Sequence, residues 1–143
     1  VQFGALHGLV HCAGIVGQLT PIEHYPAHLW QEVLHVNLTI PFLLTQACLP
    51  LLKAATSSVV LFSSAEEGSQ AKAYFGAYTC SKFGLEALKA VLSQELEHAP
   101  SVQIRSVTPQ KVRTGLRAKI YPSEDPQTLS DPADIAREYV ALL

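Results

Sequence analysis

The stretch SVVLFS, residues 58–63, decides the fold of this chain. Its four central residues are apolar, two of them are β-branched, and a serine stands at either end. An apolar run that is too short for a helix and is bounded by small polar residues is typical of a strand with both faces buried. We therefore predict a central strand over 58–63, followed by a polar turn at residues 64–68.

Two further runs predict strands that accompany the central one. Residues 5–12 (ALHGLVHC) are short and mostly apolar and are closed by Ala13-Gly14, whereas residues 102–107 (VQIRSV) alternate until Pro109 stops them. Glycine and proline at these points are typical of the turn or loop that ends a strand. The chain is thus expected to contain at least three strands.

Helical periodicity occupies the intervals between the predicted strands. The predicted helices are one that begins at Pro26, an apolar one over 38–53, a long one over 76–97, and a short one from Pro132 with Asp131 as its cap. Connections of this length require right-handed crossovers, which make the strands parallel. We predict the α/β class, with a parallel sheet covered on both faces, in which ligands bind beyond the carboxyl ends of the strands.

Composition excludes several classes of function. The chain has 143 residues and a net charge of −2, so we expect one soluble domain without the basic surplus that nucleic-acid binding requires. The longest apolar stretch, 38–52, is interrupted and is shorter than the roughly 20 residues of a bilayer span, so no membrane partner is expected. Cys12, Cys48 and Cys80 form no CxxC pair, which favours reduced, core-packed thiols in a cytoplasmic protein.

Tyr78 and Lys82 are the clearest candidates for catalytic residues in the sequence. They are four residues apart near the start of the predicted helix 76–97, so their side chains lie on one face and reach a common ligand. The ordinary pKa of a tyrosine is about 10, and a neighbouring ammonium lowers it by favouring the phenolate. The pair is therefore a candidate general acid and base. Ser63 and Ser64, at the end of the central strand, are candidates to hold a substrate carbonyl.

Other polar groups favour simpler interpretations. His24 and His28 have the spacing of metal ligands on a helix, but Pro26 between them disfavours a continuous helical face, so no metal site is expected. Glu66 and Glu67 fit either an acid and base pair or a solvated turn. The turn is favoured because adjacent side chains near a strand end diverge.

Four motifs in order resemble those of the short-chain dehydrogenase/reductase family. They are HCAG at 11–14, VN at 36–37, YTCSK at 78–82 and PQKVRT at 109–114. These segments resemble the family's NNAG motif, its catalytic asparagine, its YxxxK signature and its PGxxxT loop. The stretch SEDPQTLSDPADI, residues 123–135, is similar to a bacterial subgroup of uncharacterised or oxoacyl-reductase-like members. The resemblance covers essentially the whole chain and implies a Rossmann-type, doubly wound fold.

The resemblance also implies roles for individual residues and a set of partners. Tyr78 would exchange the hydroxyl proton, Lys82 would bind the nicotinamide ribose, and Asn37 would organise a proton-relay water. The residues expected to contact the cofactor, NAD or NADP, are Ala13, Gly14, Tyr78, Lys82, Pro109, Val112 and Thr114. The implied substrate is a small carbonyl compound or secondary alcohol, and the implied assembly is a homodimer or homotetramer through helices 38–53 and 76–97.

The chain also departs from the family pattern. Ala65 occupies the position of the family's catalytic serine, and Ser64, the remaining candidate, points to the opposite face unless the backbone bulges. Gln110 and Cys12 replace a glycine and an asparagine, and no GxxxGxG or GxGxxG motif precedes the first strand. We expect residues 1–143 to be the C-terminal portion of one larger Rossmann-type domain. The alternative is a degenerate member that binds a ligand or pairs with itself without redox activity.

Overall fold

The computed structural model describes residues 4–65 and 70–143. Its parallel sheet contains β1 (Gly8–His11), β2 (Ser58–Ser63) and β3 (Val102–Val107), in that order. β2 is central, with Leu61 paired to Val10 on one side and to Arg105 on the other. The predicted central strand and parallel sheet are thus confirmed. Glu66 and Glu67, expected in a solvated turn, lie outside the described residues.

Helices connect and cover the strands. They are α1 (Ala27–Leu34), α2 (Ile40–Ala54), α3 (Gly76–Glu95), α4 (Gly115–Ile120) and α5 (Pro132–Val140), with short 3-10 turns at Ile22–His24 and Pro126–Thr128. α5 begins where it is predicted, because the Asp131 carboxylate accepts a hydrogen bond of 2.8 Å from the backbone N–H of Ala133. α4 is not predicted from the sequence, since it is only six residues long and Thr114, its cap, is its one clear signal.

Several predicted boundaries are wrong by a few residues. The helix predicted over 38–53 is α2, Ile40–Ala54, and the helix predicted over 76–97 ends at Glu95. β1 begins at Gly8 rather than at Ala5, because the backbone N–H of Leu6 donates to the carbonyl oxygen of Leu51, at the end of α2, at 3.0 Å. Pro26 is the cap of α1 rather than its first residue, and its ψ of 128° lies outside the helical region. Two of the three cysteines, Cys12 and Cys80, are exposed rather than packed in the core.

A π-helical segment, His35–Thr39, joins α1 and α2 into one continuous helix, 27–54. With a mean hydropathy of 1.3 over its most apolar window, this helix is long and apolar enough to cross a membrane. The prediction that the apolar stretch 38–52 is too short to span a membrane is therefore not supported by the length of this helix. The inner face of the helix nevertheless carries two fully buried, hydrogen-bonded polar residues, Asn37 and Thr45, and it packs against the sheet and α3.

Alternate residues of β2 build two cores. Val60 and Phe62 face α2 and α3 and pack with Leu52, Leu85, Leu96 and Val102. Val59 and Leu61 face the opposite way and pack with Ile135 and Tyr139 of α5. Both faces of the sheet are therefore covered, which confirms the predicted α/β architecture with helices on either side. The strand ends that follow His11, Ser63 and Val107 lie together at one edge, because the strands are parallel.

Candidate active site

Tyr78 and Lys82 lie at the carboxyl end of β2, one helical turn apart on α3. Their residues are 5% and 7% exposed, so both functional groups are largely withdrawn from water. The Lys82 Nζ lies 5.7 Å from the centre of the Tyr78 ring and donates to the carbonyl oxygen of Ser63 at 3.4 Å. The structure therefore places an ammonium beside a phenol at the edge of the sheet.

Asn37 ties three parts of the site together from inside the π-helical segment. Its Oδ1 accepts from the backbone N–H of Ile15 at 2.8 Å, and its Nδ2 donates to the carbonyl oxygen of Ile15 at 2.8 Å and to Ser81 Oγ at 2.9 Å. Ser81 Oγ in turn donates to the carbonyl oxygen of Tyr78 at 2.7 Å. A buried amide with these partners is fully satisfied. Asn37 thus fixes the loop after β1 against the helix that carries Tyr78.

Ser64 and Ala65, which follow β2, both line the cavity that contains Tyr78 and Lys82, but they differ in what their side chains bring to it. Ser64 Oγ donates to Glu86 Oε1 at 2.6 Å, so this hydroxyl is bonded to α3. Ala65 lines the cavity that contains Tyr78 and Lys82, but it brings no polar group to that cavity. The Ser64 hydroxyl is therefore bonded to a carboxylate, and the Ala65 side chain offers the cavity no hydrogen-bond donor.

A cavity of about 800 Å³ opens in front of the pair. Of the residues predicted to contact a cofactor, those that line it are Gly14, Tyr78, Lys82, Pro109, Val112 and Thr114. Ala13 is exposed and is not among the lining residues of this cavity. Gln110 also lines it, and its backbone does not adopt a positive φ, a conformation that Tyr74 alone shows among the described non-glycine residues. The glycine-to-glutamine departure therefore introduces no backbone strain.

An apolar cluster forms the wall around the Tyr78 ring. Val16 and Phe75 are buried against that ring, and Leu116 and Ile120 of α4 pack onto the same cluster. The centres of the Phe75 and Tyr78 rings lie 6.4 Å apart. A hydrophobic wall beside a buried phenol lowers the local polarity, which strengthens any hydrogen bond that the phenol makes to a ligand.

Charged groups hold the short helix α4 in place over the cavity. Arg117 donates to both oxygens of Glu124, at 2.6 and 2.8 Å, and lies 4.0 Å from the centre of the Tyr121 ring. The hydrogen bond from Arg117, together with one from Lys111, lowers the pKa of Glu124 to about 2 against an opposing effect of burial. Lys72 donates to the Tyr121 hydroxyl at 2.8 Å. These contacts, which sequence reasoning missed, join α4 to the loop before α3.

His11 and Cys12, at the end of β1, bring no charged group to the site. His11 Nε2 is hydrogen-bonded to Thr45 Oγ1 at 2.8 Å, and burial lowers the pKa of the imidazole. Cys12 is exposed as a residue but lines the cavity, where partial burial of its thiol raises the pKa of the thiol and the Lys82 ammonium acts in the opposite direction. A neutral histidine and a protonated thiol bring no charge to this side of the site.

Fold and site together define a Rossmann-type domain that carries a tyrosine and a lysine at the edge of its sheet. A family model described as short chain dehydrogenase matches residues 1–125, and the chain belongs to this family. The chain is 38% identical over 143 residues to the uncharacterized oxidoreductase YciK of Escherichia coli K12, all of this chain matching 56% of that protein.

Solved structures of short chain dehydrogenases are also similar to this chain. A putative short chain dehydrogenase from Pseudomonas syringae has a TM-score of 0.91 and 42% identity, over 96% of this chain and 56% of that one. A putative short chain dehydrogenase from Escherichia coli CFT073, complexed with NADPH, has a TM-score of 0.89 and 38% identity over the same shares of the two chains. The chain thus spans about half the length of the relatives that it matches.

Proposed function

We propose that this chain belongs to an NAD(P)-dependent oxidoreductase that transfers hydride between a nicotinamide and a small carbonyl compound or secondary alcohol. The observation that carries the proposal is the placement of the Lys82 ammonium 5.7 Å from the centre of the Tyr78 ring, in the lining of a cavity at the carboxyl edge of a parallel sheet. Ligands bind at this edge in doubly wound folds. The NADPH in the similar Escherichia coli structure makes NADPH the first cofactor to test.

The residues present fit the nicotinamide and ribose end of such a cofactor. Gly14 lines the cavity beside these groups, and a Cβ built at this position would stand 3.8 Å from Lys82 Nζ and 3.5 Å from Asn37 Oδ1. Pro109, Val112 and Thr114 also line the cavity. When bound, the nicotinamide supplies or accepts the hydride. Lys82 would hold the ribose, and the three residues of the 109–114 loop would contact the nicotinamide side.

Tyr78 performs the proton transfer in this proposal. In the direction of reduction, the phenol hydroxyl gives its proton to the substrate oxygen as the carbonyl carbon gains the hydride, which leaves a phenolate that is reprotonated before the next turnover. The nearby Lys82 ammonium stabilises that phenolate. Asn37 acts indirectly in this proposal: it donates to Ser81 Oγ, which in turn donates to the backbone carbonyl of Tyr78 and fixes its position.

Nicotinamide absorbance tests the proposal directly. The full-length protein is incubated with NADPH or NADH and a panel of ketones and aldehydes, and consumption of the reduced nicotinamide is followed. We expect carbonyl-dependent consumption with at least one cofactor. Binding of both cofactors without turnover on any member of a broad panel would instead favour a ligand-binding role, to which the apolar Ala65 points.

Ala65→Ser is expected to raise kcat by about tenfold. Ala65 lines the cavity beside the catalytic pair and offers no donor, and a single positioned hydrogen-bond donor on a developing oxyanion contributes on the order of 10²- to 10³-fold in kcat. An added hydroxyl that is less well placed than an evolved one gives a smaller gain. The measurement is the steady-state rate with saturating cofactor.

The control for this gain is Ala73→Ser, which adds the same hydroxyl at an exposed position outside the lining of the cavity. It is expected to leave kcat unchanged. If Ala65→Ser folds and binds cofactor but turns over no faster than the parent, the substrate oxygen does not lie near residue 65.

We also propose a homodimer or homotetramer that buries residues 38–53 and 76–97. Phe42, Leu43 and Leu44 on α2 are 43% to 46% exposed, and Phe83 and Val91 on α3 are 44% and 51% exposed. Light scattering is expected to give a dimer or tetramer for the parent and smaller particles for Phe83→Glu. Val140→Glu, at a 68% exposed position on α5, is the control and should not change the mass. A monomeric parent protein would contradict the proposal.

A further inference from the structure

Glu86 joins the helix of the catalytic pair to two neighbouring strand ends. It lies one turn beyond Lys82 on α3. Its Oε1 accepts hydrogen bonds from Ser64 Oγ at 2.6 Å and from Ser106 Oγ at 3.0 Å, and its Oε2 accepts from Lys89. Ser64 directly follows β2 and Ser106 lies in β3. One carboxylate therefore connects α3 to the ends of two adjacent strands.

The hydrogen bonds to Glu86 are strengthened because its carboxylate is ionised. Burial raises the pKa of Glu86, but hydrogen bonds from Lys89, Ser64 and Ser106 outweigh this effect and lower the pKa below its usual value. The carboxylate is thus charged near neutral pH. Hydrogen bonds to an ionised acceptor are shorter and about twice as strong as neutral ones, which agrees with the 2.6 Å contact from Ser64.

The direction of these bonds matters because the contact between α3 and the sheet is otherwise mainly apolar, apart from the 3.4 Å hydrogen bond from Lys82 Nζ to the carbonyl oxygen of Ser63. Leu85 of α3 packs with Val60 and Phe62 of β2, and such contacts are non-directional. Hydrogen bonds, in contrast, weaken steeply when their distance or angle changes. The Glu86 carboxylate therefore fixes the position of α3 along its own axis, which apolar packing fixes less sharply.

We propose that Glu86 is a positioning residue, which holds Tyr78 and Lys82 at the correct depth relative to the edge of the sheet. The proposal rests on the proposed function, since it concerns the same pair. Tyr78, Lys82 and Glu86 are spaced by four residues and lie along one side of α3. A displacement of the helix at Glu86 is therefore passed on to both catalytic groups. A misplacement of about 1 Å is enough to cost on the order of 10²-fold in rate.

Glu86→Gln tests the proposal in the full-length protein. The variant keeps the shape of the side chain but loses its charge, and we expect kcat to fall about tenfold while the KM for the ketone stays within about threefold. Lys89→Met is the matched control, because it removes the third partner of Glu86 and leaves both serine contacts in place. The side chains of this ion pair are 26% and 29% exposed, and the ordinary pKa of a glutamate, about 4.3, keeps Glu86 charged near neutral pH without Lys89. This control is therefore expected to keep kcat within about twofold.

Removal of the donors provides a second route that does not touch Glu86. The double variant Ser64→Ala/Ser106→Ala should reproduce the kcat loss of Glu86→Gln, and addition of Glu86→Gln to it should cause little further loss, because residues of one network are not additive. Fully additive losses, or a parental kcat in both the Glu86→Gln and the double-serine variant, would overturn the proposal.

A measurement without cofactor separates this proposal from the proposed function. The crystal structure of Glu86→Gln is compared with that of the parent protein. If Glu86 acts through position, α3 is displaced relative to β2 in the variant, and the 3.4 Å contact between Lys82 Nζ and the carbonyl oxygen of Ser63 is changed. An α3 that keeps its parental position relative to β2 in Glu86→Gln would contradict the proposal. This result stands even if no carbonyl substrate is turned over.

Discussion

Tyr78→Phe is expected to lower kcat by about 10²- to 10⁴-fold, the range that a positioned general acid or base contributes. The substitution removes only the hydroxyl, which is the proton donor in the proposed mechanism. The ring remains to pack against Val16 and Phe75, so the variant is expected to fold. Steady-state turnover with saturating NADPH measures the loss, and calorimetry should show that NADPH still binds.

The control for this loss is Tyr74→Phe. Tyr74 lies four residues before Tyr78, is 61% exposed and is not among the residues that line the cavity. Loss of its hydroxyl is expected to leave turnover at the parental value. Unchanged turnover in Tyr78→Phe would remove this phenol from the mechanism, whatever the control shows.

Lys82→Met is expected to cause the second largest effect, a fall in kcat of about 10²-fold near neutral pH. Methionine has a similar length and suits a 7% exposed position, but it carries no charge. Without the ammonium, which lies 5.7 Å from the Tyr78 ring centre, the phenolate loses its stabilisation and the pKa of the phenol rises. The variant is also expected to bind NADPH more weakly.

The pH dependence identifies the cause of this loss. In the direction of alcohol oxidation, Tyr78 must accept a proton, so it acts as the phenolate. A higher pKa therefore moves the rising limb of the rate against pH to higher pH in Lys82→Met, and high pH restores part of the activity. Lys89→Met, on the same helix, should keep the parental profile. A loss of rate with an unshifted profile would show that Lys82 acts through binding alone.

The parallel sheet could be predicted because its signals are local. The run 58–63 is short, apolar and bounded by serines, and the distance between the predicted strands requires crossovers. The start of α5 is also predicted by a local signal, the capping residue Asp131 followed by Pro132. The π-helical segment 35–39 has no such signal, since its apolar spacing is also compatible with an α-helix. The continuity of the helix 27–54 therefore emerged only from the structure.

The site was predictable in part. Tyr78 and Lys82 follow from helical spacing, because both lie on one helix. The orientation of the Ser64 hydroxyl depends on Glu86, which is 22 residues away in sequence, and no local pattern reveals that contact. The spacing of Glu86 four residues after Lys82 was a usable signal, as it places the carboxylate on the same side of α3. The contacts of α4 depend on Lys72 and Tyr121, whose proximity comes from tertiary structure.

Transfer of a labelled hydride tests the central claim most directly. NADPH carrying deuterium at the transferred position of C4 is mixed with the full-length protein and a ketone that it turns over, and the product alcohol is analysed by mass spectrometry and NMR. The expected result is one deuterium on the carbinol carbon in the parent protein and no labelled alcohol above background in Tyr78→Phe. Tight binding of NADPH with no deuterium in any alcohol product would contradict an oxidoreductase and leave a cofactor-binding protein.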